Sequence, residues 1–382
     1  MPRAFAFSSN LRKKFKVLLA VLCLTGLSAV DTLALVPCAA PLKPGFRTRT
    51  YFLDGIAYNG DPASIAPGDF NNDGFTDALV PMGNFNFPLE NQLFRFLGNS
   101  NGLALMGTNT IMRNPTESAV TDFNADGKLD LLIANFTTIQ TLVGDGMGGF
   151  NQVASYTITG SGSGTALAVG DFNSDGKQDF ASAVFTTPGR VSIYNGFGTG
   201  TYAAPVDTPT GNDPRDIKAA DMNGDGKLDL LTVNPTNGVS VLLNNGSGAF
   251  SLPTHFATGL NLPSSIAVAD FNNDSKLDVA VSNWTFSGQV SNPPSLAILL
   301  GNGMGGLGTA TTINRQVNYR EMLAGDFTGD GKADLAALTS IQVPGIGTSP
   351  DNVELLAGDG AGGFNFIGST GVGHSGRSIA AG

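Results

Sequence analysis

A nine-residue pattern rich in aspartate recurs six times and constrains this chain more than any other feature. It reads DFNNDGFTD from Asp69, DFNADGKLD from Asp122, DFNSDGKQD from Asp171, DMNGDGKLD from Asp221, DFNNDSKLD from Asp270 and DFTGDGKAD from Asp326. The first aspartates stand 53, 49, 50, 49 and 56 residues apart. A near-constant period of this length means one supersecondary unit repeated, each copy relying on its neighbours to bury its apolar face.

The surroundings of each loop read as strands. Ahead of it lies a short segment such as SIAPGDF (64–70), ALAVGDF (166–172) or SIAVADF (265–271). Behind it comes a nearly continuous apolar run: DALVPM, DLLIANF, DFASAVF, DLLTVN, DVAVSNW or DLAALTS. A third run ends in a Gly-Asn turn, as in VSVLLNNGSGAF (239–250) and LAILLGNGMGGLG (296–308), and a more polar fourth segment such as NQVASYTITG (151–160) completes the unit. Short apolar and β-branched runs bounded by Gly, Asn, Asp and Ser are strand-and-turn signals. Gly 51 and Pro 20 with only 14 % charged residues suit the same turn-rich all-β reading. Four strands in about 50 residues, repeated, predict the blades of a β-propeller. A calcium-binding parallel β-helix would need its motif back to back, and a WD-type propeller would need a Trp-Asp signature, whereas this chain has a single Trp.

The loop has metal-binding chemistry. Oxygen-bearing side chains fall at positions one, three, five and nine, glycine at six permits a sharp turn, and the carbonyl of residue seven can face the centre, a set suited to a hard cation such as Ca2+. The predicted ligands are Asp69, Asn71, Asp73, Phe75 and Asp77; Asp122, Asn124, Asp126, Lys128 and Asp130; Asp171, Asn173, Asp175, Lys177 and Asp179. They continue with Asp221, Asn223, Asp225, Lys227 and Asp229; Asp270, Asn272, Asp274, Lys276 and Asp278; Asp326, Thr328, Asp330, Lys332 and Asp334, position seven contributing its carbonyl throughout. The bidentate glutamate that an EF-hand carries at position twelve is replaced by Val80, Ile133, Ser182, Thr232, Val281 and Ala337, so the aspartate at nine is expected to complete the cage. A metal-free Asx turn accounts for the glycine and one aspartate, but not for three aspartates converging in nine residues. Ser275 at position six of loop five and Thr328 at position three of loop six predict the two weakest sites. These loops hold 18 of the 31 acidic residues. The formal charge of −10 would become about −15 without the basic leader and about −3 with six divalent ions bound, so the acidity is a metal-site signature. No basic cluster outside the leader suggests nucleic acid.

Residues 1–40 read as a secretory leader with a short following segment, and 41–382 as the propeller. Arg3, Arg12, Lys13, Lys14 and Lys16 precede the 14-residue apolar run Val17–Val30, shorter than the roughly 20 residues that span a bilayer. No transmembrane segment other than this leader is expected. Cys38, alone once the leader is removed, has no intramolecular partner; Leu35-Val36-Pro37-Cys38 resembles a lipoprotein cleavage box except at Pro37. The closing SIAAG (378–382) matches the lead-in strand of the other repeats, and Phe46–Phe52 occupies the place of a fourth strand. These two segments predict a seventh, incomplete blade cut short at the C-terminus, its outer strand closing the ring.

The D-F-N-x-D-G-K-x-D loops, each followed by an apolar strand and an L-L-G-N-G-x-G-x-F turn, resemble FG-GAP or VCBS-type repeats, the units of the integrin α-subunit propeller. The resemblance runs from about residue 46 to 382. It implies a seven-bladed propeller with Ca2+ on the face of the loops between first and second strands, and ligands on the opposite face. Two loops on that face are long, Trp284–Pro294 and Ser340–Pro350. Trp284, Phe286 and Gln289 are candidate partner-binding residues together with Arg190, Arg215, Tyr319 and Arg320, the competing reading being that Trp284 packs on a neighbouring blade. Catalysis is not expected, because there are only two histidines, His255 and His374, four glutamates and no nucleophile motif. The expected function is that of a secreted or cell-surface, Ca2+-binding module for adhesion-type protein contacts; a lectin-like propeller, or the non-catalytic domain of a larger secreted enzyme, is the alternative.

Overall fold

In the computed structural model the described residues are 18–23, 47–52, 61–83, 91–100, 102–158, 163–283, 295–315, 317–340, 342–343, 347–348, 351–373 and 378–381. Trp284, Phe286, Gln289, Cys38 and His374 lie outside them. Six antiparallel sheets follow one another along the chain, spanning 61–110, 115–157, 163–209, 216–256, 263–314 and 318–373, and are numbered here as blades one to six. Blade two shows the plan: Pro115–Thr121, Asp130–Asn135, Thr138–Gly144 and Phe150–Thr157 pair in chain order. In blade one the first strand is interrupted, Asp61–Pro62 and Ala66–Gly68 both pairing with Asp77–Gly83. In blade six a small hairpin, Gln342–Val343 with Gly347–Thr348, is inserted between the second and third strands.

Burial explains the four kinds of run. Second strands such as Asp229–Asn234 and Asp278–Asn283 are buried along their whole length, because a central strand in a stacked blade has protein on both faces. Fourth strands such as Phe150–Thr157 and Val206–Pro209 are largely exposed. The two-residue alternation of a strand divides each second strand between two neighbours. Val279 and Val281 pack with Leu231, Val233, Val239 and Val241 of blade four, while Ala280 packs with Met322, Leu335, Ala337 and Leu356 of blade six. Full burial of one such valine or leucine is worth about 1.5–3 kcal/mol, and only the adjoining blade supplies it.

First strands of consecutive blades lie side by side, lining the ring's axis. Ile379–Ala381 adjoins the first strands of both blade six and blade one. Ile379 joins Phe327, Ala336, Leu338, Val353 and Leu355 of blade six, and Ala380 joins Ile65, Ala78, Val80, Met82, Phe94 and Phe96 of blade one. The expectation that the two ends share a sheet meets an addition here. Arg47–Phe52 pairs in parallel with Leu18–Cys23, which pairs antiparallel with Ile379–Ala381. The middle strand comes from the run read as a leader; an unbroken apolar segment satisfies a leader and a central strand alike. The architecture is an all-β, six-bladed β-propeller with four-stranded antiparallel blades.

Candidate functional site

Each aspartate loop joins the first strand of a blade to the second, so all six emerge at one end of the ring. Their backbone is set by two left-handed residues. Position six has φ between 80° and 83° at Gly74, Gly127, Gly176, Gly226 and Gly331, and 65° at Ser275. Position four is also left-handed, at Asn72 (57°), Ala125 (58°), Ser174 (59°), Gly224 (72°), Asn273 (57°) and Gly329 (75°), a requirement the sequence pattern did not reveal because four residue types occupy it.

The carboxylates divide into two groups. The first-position aspartate organises the turn: Asp122 Oδ1 accepts the Asp126 amide at 3.1 Å and Oδ2 the Gly127 amide at 2.8 Å. Asp69, Asp171, Asp221, Asp270 and Asp326 accept the amides of their own fifth and sixth residues in the same way. The fifth-position aspartates are exposed, and in four loops a lysine at position seven pairs with them: Lys128–Asp126 at 3.6 Å, Lys177–Asp175 at 3.3 Å, Lys227–Asp225 at 3.3 Å and Lys276–Asp274 at 3.1 Å.

The ninth-position aspartate is a different kind of residue. Asp77, Asp130, Asp179, Asp229, Asp278 and Asp334 are at most 1 % exposed. One oxygen of Asp130 accepts the Phe123 amide at 2.8 Å, the other the Gly144 amide at the end of the third strand, also at 2.8 Å. Asp77, Asp179, Asp229 and Asp278 bind the equivalent pairs of amides. In loop six the pair is Thr328 and Gly358. Burial pushes all six carboxyls above the usual carboxylate range, and the amide bonds oppose the shift. The ninth aspartate therefore ties the first, second and third strands together; sequence reading assigned it only to a cage.

Among the described residues no three carboxylate, imidazole or thiolate side chains converge closely enough to hold a metal ion. The donor chemistry still fits a hard cation. Positions one, three and five offer only oxygen ligands, and a ninth-position carboxylate accepting two amides keeps lone pairs of its roughly four.

At the opposite end of the ring the first strands surround an axial channel of about 500 Å3. Gly83, the last residue of a second strand, and Phe136, which follows another, line it and fix which end this is. Glu117, Ala166, Asp216, Ser265 and Glu321 line it, each five residues ahead of the first aspartate of its loop. Lys218 Nζ donates to Asp216 Oδ1 at 2.9 Å, and Asp216 Oδ2 accepts the Ile266 amide of blade five at 3.0 Å. Glu117 Oε1 accepts the Ser118 amide at 3.0 Å. Burial raises both Glu117 and Glu321, and the Glu321 charge adds to the effect on Glu117. Desolvation in the channel lowers Lys218, but the neighbouring carboxylates, Asp216 foremost, outweigh it and hold the amine above its ordinary value. This column of residues was not singled out from sequence, although comparing the position five residues before each loop exposes it.

Of the predicted partner-binding residues, Arg215 and Arg320 line this channel. Tyr319 is corrected: it is fully buried between blades five and six, its hydroxyl donating to Glu354 Oε2 at 3.1 Å, because its place beside a strand bulge turns the ring into the core. Arg190 is paired with Asp207 at 3.2 Å.

Residues 122–182, 171–232 and 221–281 each match the FG-GAP-like repeat family. No curated protein matches the chain. Among solved structures, an Agrocybe aegerita lectin described for specific recognition of non-reducing terminal N-acetylglucosamine is 17 % identical with a TM-score of 0.55, covering 85 % of each chain. A protein from Lactobacillus plantarum is 12 % identical with a TM-score of 0.63, covering 88 % of this chain and 90 % of the other. BBS1N in complex with ARL6DN is 12 % identical with a TM-score of 0.54, covering 82 % and 83 %. Identities this low speak to the fold alone. Taken with the six loops and the ring, they lead to one statement: the chain carries FG-GAP-like repeats in a β-propeller fold.

Proposed function

We propose that this chain is a secreted or cell-surface β-propeller stabilised by Ca2+ at its aspartate loops, binding a protein or glycan partner at the opposite end without catalysis of its own. The observation that carries the reading is the sixfold repetition of an exposed oxygen-donor loop on one face. Asp and Asn at positions one, three and five, with Thr328 once, would hold the ion; the ninth aspartate would join through lone pairs its amides leave. Bound Ca2+ would supply the charge that offsets carboxylates gathered in one loop. The ring is read as seven-membered, with Ile379–Ala381 in the innermost place of the seventh position; its packing on blades six and one supports this.

Melting in chelator against melting in millimolar Ca2+ tests the proposal. Calcium that binds only the folded state raises the melting temperature with concentration, and an unchanged melt removes it. A second reading, carbohydrate binding, is supported by the N-acetylglucosamine-recognising lectin among the structural neighbours; the BBS1N complex supports protein contacts. A glycan array run beside a pull-down from surface extract separates them.

A further inference from the structure

We propose that aspartate loops three and four form one coupled pair of calcium sites, joined by the side chain of Asn244; the inference rests on the Ca2+ reading proposed for the loops. In blades two to six the turn between third and fourth strands reaches back to the loop of the blade before it. The amides of Gly148, Gly200, Gly248, Gly305 and Gly362 donate to the second-position carbonyls of Phe70, Phe123, Phe172, Met222 and Phe271 at 3.0–3.4 Å. Blade four adds a side chain to this backbone link. At the end of its third strand stands Asn244, where the other blades have Gly98, Gly144, Gly196, Gly301 and Gly358.

Asn244 Nδ2 donates to Phe172 O of loop three at 2.8 Å and to Leu228 O of loop four at 3.0 Å, while Oδ1 accepts the Gly246 amide at 2.8 Å. These three partners fix the direction of the amide, and the residue is buried. The two carbonyls belong to peptides that lead directly into predicted ligands, Phe172 into Asn173 and Leu228 into Asp229. Displacing either loop strands a buried N–H of Asn244, so each loop is held in place by the other. The effect on binding has a definite sign. An ion that orders loop three fixes Asn244 and with it the Leu228–Asp229 peptide, so less ordering remains when loop four fills. Repulsion between two divalent ions acts in the opposite direction, so positive coupling identifies the bridge.

Hydrogen exchange of the full chain across a Ca2+ titration, read by mass spectrometry, gives a separate midpoint for the peptides covering each loop. Asp225→Ala, which disables loop four, should raise the Ca2+ concentration that protects loop three about fivefold. Asp175→Ala should raise the midpoint of loop four by the same factor, because coupling between binding sites is reciprocal. In the Asn244→Gly background both shifts should shrink to the size seen at loop two when loop three is disabled, since blade three carries Gly196 and meets loop two through the Gly200 amide. Glycine is the residue the other blades use at this point, and the two aspartate variants test the coupling without any change at Asn244. Protection of loop three indifferent to Asp225→Ala, or shifts that persist undiminished in Asn244→Gly, overturns the inference and leaves the metal reading intact; absence of Ca2+ protection at every loop overturns both.

Discussion

Glu321 Oε2 accepts the backbone N–H of Ile379 at 2.7 Å. The same relation occurs two blades earlier, where Asp216 Oδ2 accepts the Ile266 amide at 3.0 Å. In both cases an acid five residues ahead of a loop, or at its equivalent, reaches across to the next first strand. The bond fixes Ile379–Ala381 beside blade six by the same device that joins blades four and five. Glu321→Ala should speed hydrogen exchange at Ile379 by about tenfold, a hydrogen bond of roughly 1.4 kcal/mol being lost, and Glu321→Gln, which keeps an acceptor, should leave it protected. Mass-spectrometric exchange of the C-terminal peptide reads the difference.

Asp225 and Asp229 belong to one loop but have separate duties. Asp229 is fully buried and accepts the amides of Met222 at 3.0 Å and Asn244 at 2.8 Å. Removing it strands two buried donors, at about 1–3 kcal/mol each. In chelator, Asp229→Ala should therefore lower unfolding free energy by about 2–4 kcal/mol after partial relaxation, whereas Asp225→Ala should leave the chelated protein's melting unchanged and reduce only the gain on adding Ca2+. Denaturant unfolding with and without Ca2+ separates the two; equal losses for both variants in chelator would remove the distinction.

Ser275 holds a φ of 65° at the position where the other five loops have glycine. A left-handed residue with a Cβ costs about 1 kcal/mol, and no neighbour lies within 4 Å of where a Cβ would stand at the equivalent Gly74, Gly127, Gly176, Gly226 and Gly331. The cost is therefore in the backbone rather than in crowding. Ser275→Gly should stabilise the protein by roughly 1 kcal/mol, and Gly127→Ala should destabilise it by a similar amount, both measurable as shifts in denaturant midpoint at constant slope.

The blades were legible because a loop of fixed chemistry marks the same point in every repeat and the run behind it is apolar without alternation, as in Asp229–Asn234. The role of the ninth aspartate was not legible, since a ligand and a buried amide acceptor require the same side chain. Third-strand ends show a similar limit. A Cβ at Gly144, Gly196, Gly301 or Gly358 would stand 2.0–2.2 Å from the carbonyl oxygen of the loop's eighth residue, so glycine is demanded there by close approach. Blade four places Asn244 at this point, and its Nδ2 donates to that carbonyl, Leu228 O, at 3.0 Å and to Phe172 O of blade three at 2.8 Å. The channel was hidden for another reason: Glu117, Asp216 and Glu321 lie 99 and 105 residues apart in the chain, and only closure of the ring brings them to one level.

The two channel glutamates also set a pH dependence with a definite sign. Burial lifts Glu117 from 4.5 to about 8 and Glu321 to about 7. The folded chain therefore keeps protons that the unfolded chain releases, and the associated stability is fully present below about pH 4.5 and lost as pH rises through about 7 to 8. Melting temperature in chelator should fall between about pH 5 and about pH 8, and Glu117→Gln, neutral throughout, should flatten that fall while being at least as stable as the parent at the alkaline end. The ninth-position aspartates, also raised by burial, act in the same direction closer to their ordinary range, so the steepening confined to near-neutral pH identifies the glutamates. A variant whose melting profile retained the parent's slope there would show that the two carboxyls do not meet across the channel.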